Sequence, residues 1–411
     1  MKKLLLLLSA LGSTIISYAQ TTGPEVTCWL INTNGETGYG NIATNVQQVQ
    51  YSDNNVYVSC TCIPGYDIGP WTGNPNIPAN QNFVFKVTRN PQENTGTKIA
   101  TPLGHIGVWT NGVSMFNAKD AMSYQNQGIW EQNAIAVEGI SFDECLGHPA
   151  PNGEYHHHLN PTCLYYDNDA SAHSPIIGYA FDGFPMYGAY GYTNTNGTGA
   201  IKRIESSYRL RNITDRTTLP NGTVLNANQY GPAINQQKQL GYYIQDYEYI
   251  QGLGDLDEHN GRFCVTPEYP NGTYAYFVTL DSNLMGTYPY TVGPTYYGTV
   301  PAGNTGQQSG HNTVSEPVVT YTPTSTAIAD ISTSNISIYP NPTSDHIQVF
   351  FGNSDEQRTV KVYDVKGELV ASTNSSESAT RLDASILSKG LYLVQISTAS
   401  GAQYQSKIIK Q

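Results

Sequence analysis

The chain has 411 residues, a formal charge of −12 and only 13 % charged residues, about half the usual share. No basic cluster interrupts the acidic balance, which argues against nucleic acid and anionic membrane as partners. Thirty-one tyrosines supply much of the missing polarity, a composition of extracellular β-rich proteins rather than of disordered chains.

Residues 1–19 read as a cleavable signal peptide. Lys2 and Lys3 form a positive start, Leu4 to Ile16 an apolar stretch, and Ser17-Tyr18-Ala19 a cleavage signal before Gln20. Ser13, Thr14 and Ser17 break the run, which is too short for the about 20 apolar residues of a spanning helix. No later stretch has that length and apolarity, so no integral membrane segment is expected after cleavage.

From Cys28 to Phe142, short runs such as Val56-Tyr57-Val58 and Phe83-Val84-Phe85-Lys86-Val87 alternate with Gly, Pro and Asn, the pattern of strands joined by turns. From Asp143 to Gly298 the chain is rich in Gly, Tyr and His. No linker composition separates these regions, so 20–298 is expected to be one mainly β region. Residues 299–335 carry Gly, Gln, Ser, Thr and Pro and read as a linker, with a short strand at Val318-Val319-Thr320-Tyr321 as the competing reading. Residues 336–411 return to strand patterns, among them His346-Ile347-Gln348-Val349 and Leu391-Tyr392-Leu393-Val394-Gln395-Ile396. So many short strands predict a small β-sandwich.

Six cysteines in an exported chain read first as disulfides. Cys145 with Cys163 is the expected pair, because the two flank the most unusual segment. Cys60 and Cys62, two apart on a strand, lack the geometry to bond each other.

That segment holds four of the nine histidines, in Gly147-His148-Pro149 and Tyr155-His156-His157-His158. If 155–158 is extended, His156 and His158 share one face, while Tyr155 and His157 share the other. Two imidazoles so placed suit a transition metal, copper or zinc, with His148 or His173 as third ligand. Asp182 reads either as a turn residue before Gly183 and Pro185 or as a ligand, an orienter of a ligand histidine or a general base. Asp255, Asp257 and His259-Asn260-Gly261 do not match an EF-hand, since the glycine falls late and the bidentate Glu is missing; a looser Ca²⁺ site is the remaining cation reading. A reaction, if there is one, would be hydrolysis by metal-bound water or copper redox chemistry. The rival class is a non-catalytic adhesion module for surface glycans or proteins, with structural histidines. The sequence does not say whether the chain is an enzyme, and names no extracellular ligand.

Two resemblances stand on ordered motifs. Ile338-Tyr339-Pro340-Asn341-Pro342, Val362-Tyr363-Asp364 with Gly367, Lys389-Gly390-Leu391-Tyr392, and a basic end at Lys407 and Lys410 resemble the C-terminal sorting domain of the type IX secretion system over 336–411. The resemblance implies an Ig-like β-sandwich that the outer-membrane translocon recognises and in most members cleaves off. It implies a secreted or outer-membrane cell-surface location. Asp143, Cys145, Gly147-His148-Pro149, Gly153 to His158 and Cys163 resemble the YHYH domain family. His173 to Gly188, Leu256 to Arg262 and Tyr269 to Phe277 continue the match, over about 106–298. The resemblance implies domain identity rather than an activity. Two positions depart from it: His157 stands where the name implies Tyr, and His259 where Cys is frequent, so that Cys264 is the candidate to take over a disulfide there.

Overall fold

The computed structural model describes residues 22–165, 170–306, 309–323, 337–339, 343–351, 357–377, 379–398 and 403–411. The expected signal peptide lies outside them, as does the Pro340-Asn341-Pro342 motif. The chain divides into two compact units, residues 1–322 and 323–411. Among the described residues no helix is long and apolar enough to cross a membrane.

The two main sheets of the first unit contain strands β1 (Val46–Tyr51), β2 (Asn55–Cys60), β3 (Phe83–Thr88), β4 (His105–Trp109), β5 (Ser114–Phe116), β6 (Gly147–Pro149), β7 (Tyr155–His157), β8 (Ile176–Ala180), β9 (Pro185–Tyr187), β10 (Gly261–Cys264), β11 (Thr273–Phe277) and β12 (Val319–Tyr321). An eight-stranded sheet runs β10-β11-β9-β8-β4-β5-β7-β6, and a four-stranded sheet runs β12-β1-β2-β3. Strand β3 alternates between buried and half-buried residues, as a strand with one face on a core must. Strands β4 and β8 are buried throughout, because the large sheet is covered on both faces. On one face Val108, Tyr179, Tyr187 and Phe277 pack with Val49, Val58, Phe85 and Val87 of the small sheet. On the other, Trp109, Ala180, Met186 and Tyr276 form a second core with Val292 and Tyr296. The alternation of neighbouring residues between two cores is the strand period of two made visible.

The structure differs from the linker expectation over 299–322. This segment lies along the small sheet: β12 pairs with β1, Tyr321 opposite Val49, and the Asn312 N–H donates to Val84 O at 3.0 Å. Asn304 Oδ1 accepts from the Lys86 N–H at 2.9 Å. Small polar residues read as linker because they bury little apolar surface; here their backbone groups are satisfied by a sheet edge instead.

The second unit contains β13 (Ser337–Tyr339), β14 (His346–Phe350), β15 (Arg358–Tyr363), β16 (Leu369–Ser375), β17 (Ala379–Asp383), β18 (Gly390–Thr398) and β19 (Gln403–Lys410). They form sheets ordered β13-β14-β17 and β16-β15-β18-β19. Ile347, Val349 and Leu382 of the first meet Val360, Val362, Val394, Ile396 and Ile408 of the second in one core. It is a β-sandwich.

Candidate metal centre

Strands β6 and β7 end the large sheet. They pair antiparallel, with His148 directly opposite His156 and Gly147 opposite His157. Directly opposed residues share a face, and His158 lies two residues on from His156. The register therefore places three imidazoles together. Gly147 permits the close approach: a Cβ there would fall 2.3 Å from the Tyr155 hydroxyl and 2.9 Å from His157 Nε2. The disulfide Cys145–Cys163 lies just before β6.

The Nε2 atoms of His148 and His156 are 3.0 Å apart, and those of His156 and His158 3.1 Å. All three residues are buried, and their ligating atoms lie within 4.8 Å of one another. The other ring nitrogens fix the tautomers. His156 Nδ1 meets Glu154 O at 3.1 Å and His158 Nδ1 meets Asn117 O at 2.6 Å. A carbonyl only accepts, so each Nδ1 carries its ring's proton. His148 Nδ1 lies 2.8 Å from Ser141 Oγ, whose own proton goes to Glu138 O at 2.8 Å, so this Nδ1 donates as well. Three Nε2 lone pairs then face one another with no proton between neutral rings. A tetrahedral ion with metal–nitrogen bonds of 2.0–2.1 Å holds its ligand atoms about 3.3 Å apart, close to the spacing of the two contacting pairs.

Glu138, at the end of the short helix Ala134–Glu138, adds a carboxylate. Its Oε2 is 3.2 Å from His158 Nε2 and 3.8 Å from His148 Nε2, and has no hydrogen-bond donor among the described residues. Burial works against its ionisation, but the electrostatic pull of the neighbouring His158 and His148 outweighs it and holds the carboxyl below its usual range. Burial, then the charge of Glu138, raises the neighbouring Asp120. Burial first, and then the charge of His158, pushes His148 down to about 4. Burial and the charges of its two partners take His156 well below its ordinary value. Phe116 stacks on His156 at 3.8 Å between ring centroids, and Phe142 stands edge-on to His148 at 4.8 Å. The site opens on a cleft of about 730 Å³, lined also by Asn74, Leu103, Lys119 and Pro149.

His157 points to the opposite face, between Trp109 and Tyr155. Burial takes it down to about 3, and neither ring nitrogen has a hydrogen-bond partner among the described residues.

Of the five residues expected as ligands, the structure brings together His148, His156 and His158. His173 and Asp182 are elsewhere. His173 packs against Tyr187 of β9 and Phe277 of β11, and Asp182 binds the Tyr276 hydroxyl at 2.6 Å and the Gly298 N–H at 2.9 Å. Three strands separate β9 from β7, about 19 Å at a strand spacing of about 4.8 Å. Nearness in sequence is undone by sheet order. In the loop considered for Ca²⁺, Asp257 accepts from the Tyr274 hydroxyl at 2.9 Å and the His259 N–H at 2.9 Å, and Asp255 pairs with Lys202 at 2.8 Å. Cys264 is a free thiol, as are Cys28, Cys60 and Cys62, so it takes over no disulfide; His259 Nδ1 instead contacts Thr295 Oγ1 at 2.8 Å. Sequence reasoning missed Glu138, Ser141 and Asn117, which belong to no motif. Only the Asn133 helix cap, whose side chain accepts from Ile135 N, marks Glu138's helix.

Fold and sorting tail define a β-rich protein that is secreted or displayed on the cell surface. The chain belongs to the YHYH protein family, whose pattern matches residues 84–289. Residues 337–411 match the secretion system C-terminal sorting domain, which implies interaction with the type IX secretion system. No curated protein matches the chain. Among solved structures, a DUF3244-family protein of Bacteroides vulgatus with an immunoglobulin-like β-sandwich fold is similar at 12 % identity, covering 18 % of this chain and 84 % of its own, with a TM-score of 0.17. PorZ, a surface component of the type IX secretion system of Porphyromonas gingivalis, is similar at 11 % identity, covering 92 % of this chain and 60 % of its own, with a TM-score of 0.18.

Proposed function

We propose that the first unit binds one transition-metal ion, copper or zinc, through His148, His156 and His158, and does so at the cell surface or in the medium. One observation carries the reading: three Nε2 atoms converge while each Nδ1 proton is committed to an oxygen. Glu138 offers a fourth donor. Imidazole nitrogen with one carboxylate oxygen and no thiolate suits zinc or Cu(II). Such an ion supplies Lewis acidity toward a bound water or, for copper, a one-electron couple. Ser141, Asn117 and Glu154 hold the rings in the binding tautomer, Phe116 and Phe142 limit water, and Glu138 balances positive charge. The sorting tail, residues 336–411, is what the outer-membrane translocon reads during export.

Elemental analysis of the purified secreted protein tests the reading. About one copper or zinc per chain is expected, and none in the His156→Ala/His158→Ala double variant. A parent protein without stoichiometric metal overturns it, as does a double variant that keeps its metal. Glycan binding retained by a metal-free double variant would favour the adhesion class.

A further inference from the structure

Two further polar side chains, His105 and Glu154, line the same cleft, and of this pair only the Glu154 backbone carbonyl touches the histidine cluster. His105, at the start of β4, is 1 % exposed. Its Nδ1 lies 2.8 Å from Glu154 Oε1 and its Nε2 2.9 Å from Ser309 Oγ. Glu154 is 5 % exposed, and His105, Glu154 and Gly306 all line the cleft. Ser309, half-buried, arrives on the segment laid along β3. The Gly310 N–H donates to Gly303 O at 2.9 Å, and the Val84 N–H to Gly310 O at 2.7 Å, which ties the residue after Ser309 to β3. A carboxylate only accepts, so Nδ1 of the neutral ring carries the proton and Nε2 faces the serine with a lone pair. Phe83, Phe85 and Phe181 stand edge-on to the imidazole at 5.2, 5.3 and 5.9 Å and keep water from it. Ser309 Oγ is also 2.8 Å from Asn304 O and 2.6 Å from Gly306 O. The hydroxyl proton therefore has three acceptors within reach, His105 Nε2 among them, and the described residues show no donor to the oxygen.

We propose that Ser309, His105 and Glu154 form an acyl-transfer relay acting on carboxylic esters with an uncharged acyl group. Ser309 Oγ attacks the ester carbonyl carbon while its proton passes to His105 Nε2. The carbon–oxygen bond to the alcohol then breaks, and the alcohol leaves with that proton. Water attacks the acyl-serine, gives a proton to Nε2, and the acid departs as Ser309 regains its hydroxyl. Glu154 holds the Nδ1–H tautomer and balances the imidazolium that forms. Leu103, Phe116, Val137 and Ile140 along the cleft favour an apolar acyl chain.

The relay is independent of the metal reading and is tested apart from it. The secreted full-length protein is treated with a fluorophosphonate probe, with and without EDTA, and mapped by peptide mass spectrometry. Expected are a covalent adduct on Ser309, its loss in Ser309→Ala, and labelling slower by roughly a hundredfold or more in His105→Gln. EDTA should change neither the adduct nor the hydrolysis of p-nitrophenyl butyrate. The Ser309→Ala protein, whose smaller side chain needs no repacking, is checked for native circular dichroism. An unlabelled Ser309 in folded wild-type protein overturns the proposal, and so does labelling that disappears with EDTA. Metal content of the same sample reports on the histidine cluster separately.

Discussion

Tyr155 donates its phenol to the carboxylate of Asp143, 3.1 and 2.9 Å from the two oxygens. The same carboxylate accepts from the N–H groups of Gly69, Cys145 and Gly147 and from the Trp71 indole. One buried acid thus ties the 69–71 loop, the disulfide and both histidine strands together. Tyr155→Phe preserves the ring and removes one donor. We expect a loss of roughly 1–3 kcal/mol in urea denaturation, with weaker metal retention because β7 loses its side-chain tie to Asp143. Unchanged stability would mean that the other four donors already satisfy the acid.

Among the three histidines Ser141 bonds His148, and its own proton goes to the Glu138 carbonyl. Ser141→Ala leaves all three Nε2 atoms in place but frees the His148 ring to change tautomer. Metal affinity, measured by competition with a chromogenic chelator, should fall about 10- to 100-fold. His173→Ala should leave it untouched, since that ring packs against Tyr187. An equal loss in both variants would rule out the assigned ligand set.

The bridge Cys145–Cys163 closes a loop with a sequence separation of 18. By chain entropy it contributes about 3 kcal/mol. The other four cysteines are free thiols, so a reductant acts on this bridge alone. Denaturant midpoints with and without dithiothreitol should differ accordingly, and Cys145→Ser/Cys163→Ser should match the reduced wild type. A double variant indifferent to reductant yet as stable as the oxidised protein would refute this.

Fused to a neutral reporter, residues 336–411 should carry it out of a host with a working type IX system. A reporter that stays in the periplasm would show that the tail is not sufficient for export.

The histidine pair was legible because strand alternation is a property of sequence: His156 and His158 must share a face once 155–158 is extended. That His148 completes the set depends on the β6–β7 register, and His148 and His173 remained equal candidates until sheet order separated them. Glu138 was invisible, because its role comes from a five-residue helix brought up to the sheet edge by tertiary packing. The pairing of residues 319–321, the competing strand reading, with the small sheet has the same origin. Residues 299–322 bury little apolar surface, and their place is set by backbone hydrogen bonds that composition does not encode. The second unit was the most readable, since in β15 the alternation of Val360 and Val362 with Thr359 and Lys361 matches its burial residue by residue.

Asp182 supplies a test of pH dependence away from the histidines. The carboxyl is fully buried, and burial raises it from an ordinary 3.8 to about 6, although the Tyr276 hydroxyl and the N–H groups of Gly298 and Phe184 favour its ionised form. The folded protein holds this proton more tightly than the unfolded chain does. Its contribution to stability is therefore complete below about pH 4 and is lost as the pH rises through about 6, a change on the order of 2–3 kcal/mol. Asp182→Asn cannot titrate. Its amide oxygen can still accept from Tyr276 and Gly298, while the amide nitrogen faces the longer 3.3 Å contact to Phe184 N, so a constant loss of stability is expected at every pH. The diagnostic is the slope: between pH 4 and 7 the wild type should lose 2–3 kcal/mol relative to the variant in parallel urea titrations. Parallel curves would show that Asp182 keeps an ordinary carboxyl affinity in the fold, with its three donors fully offsetting the cost of burial.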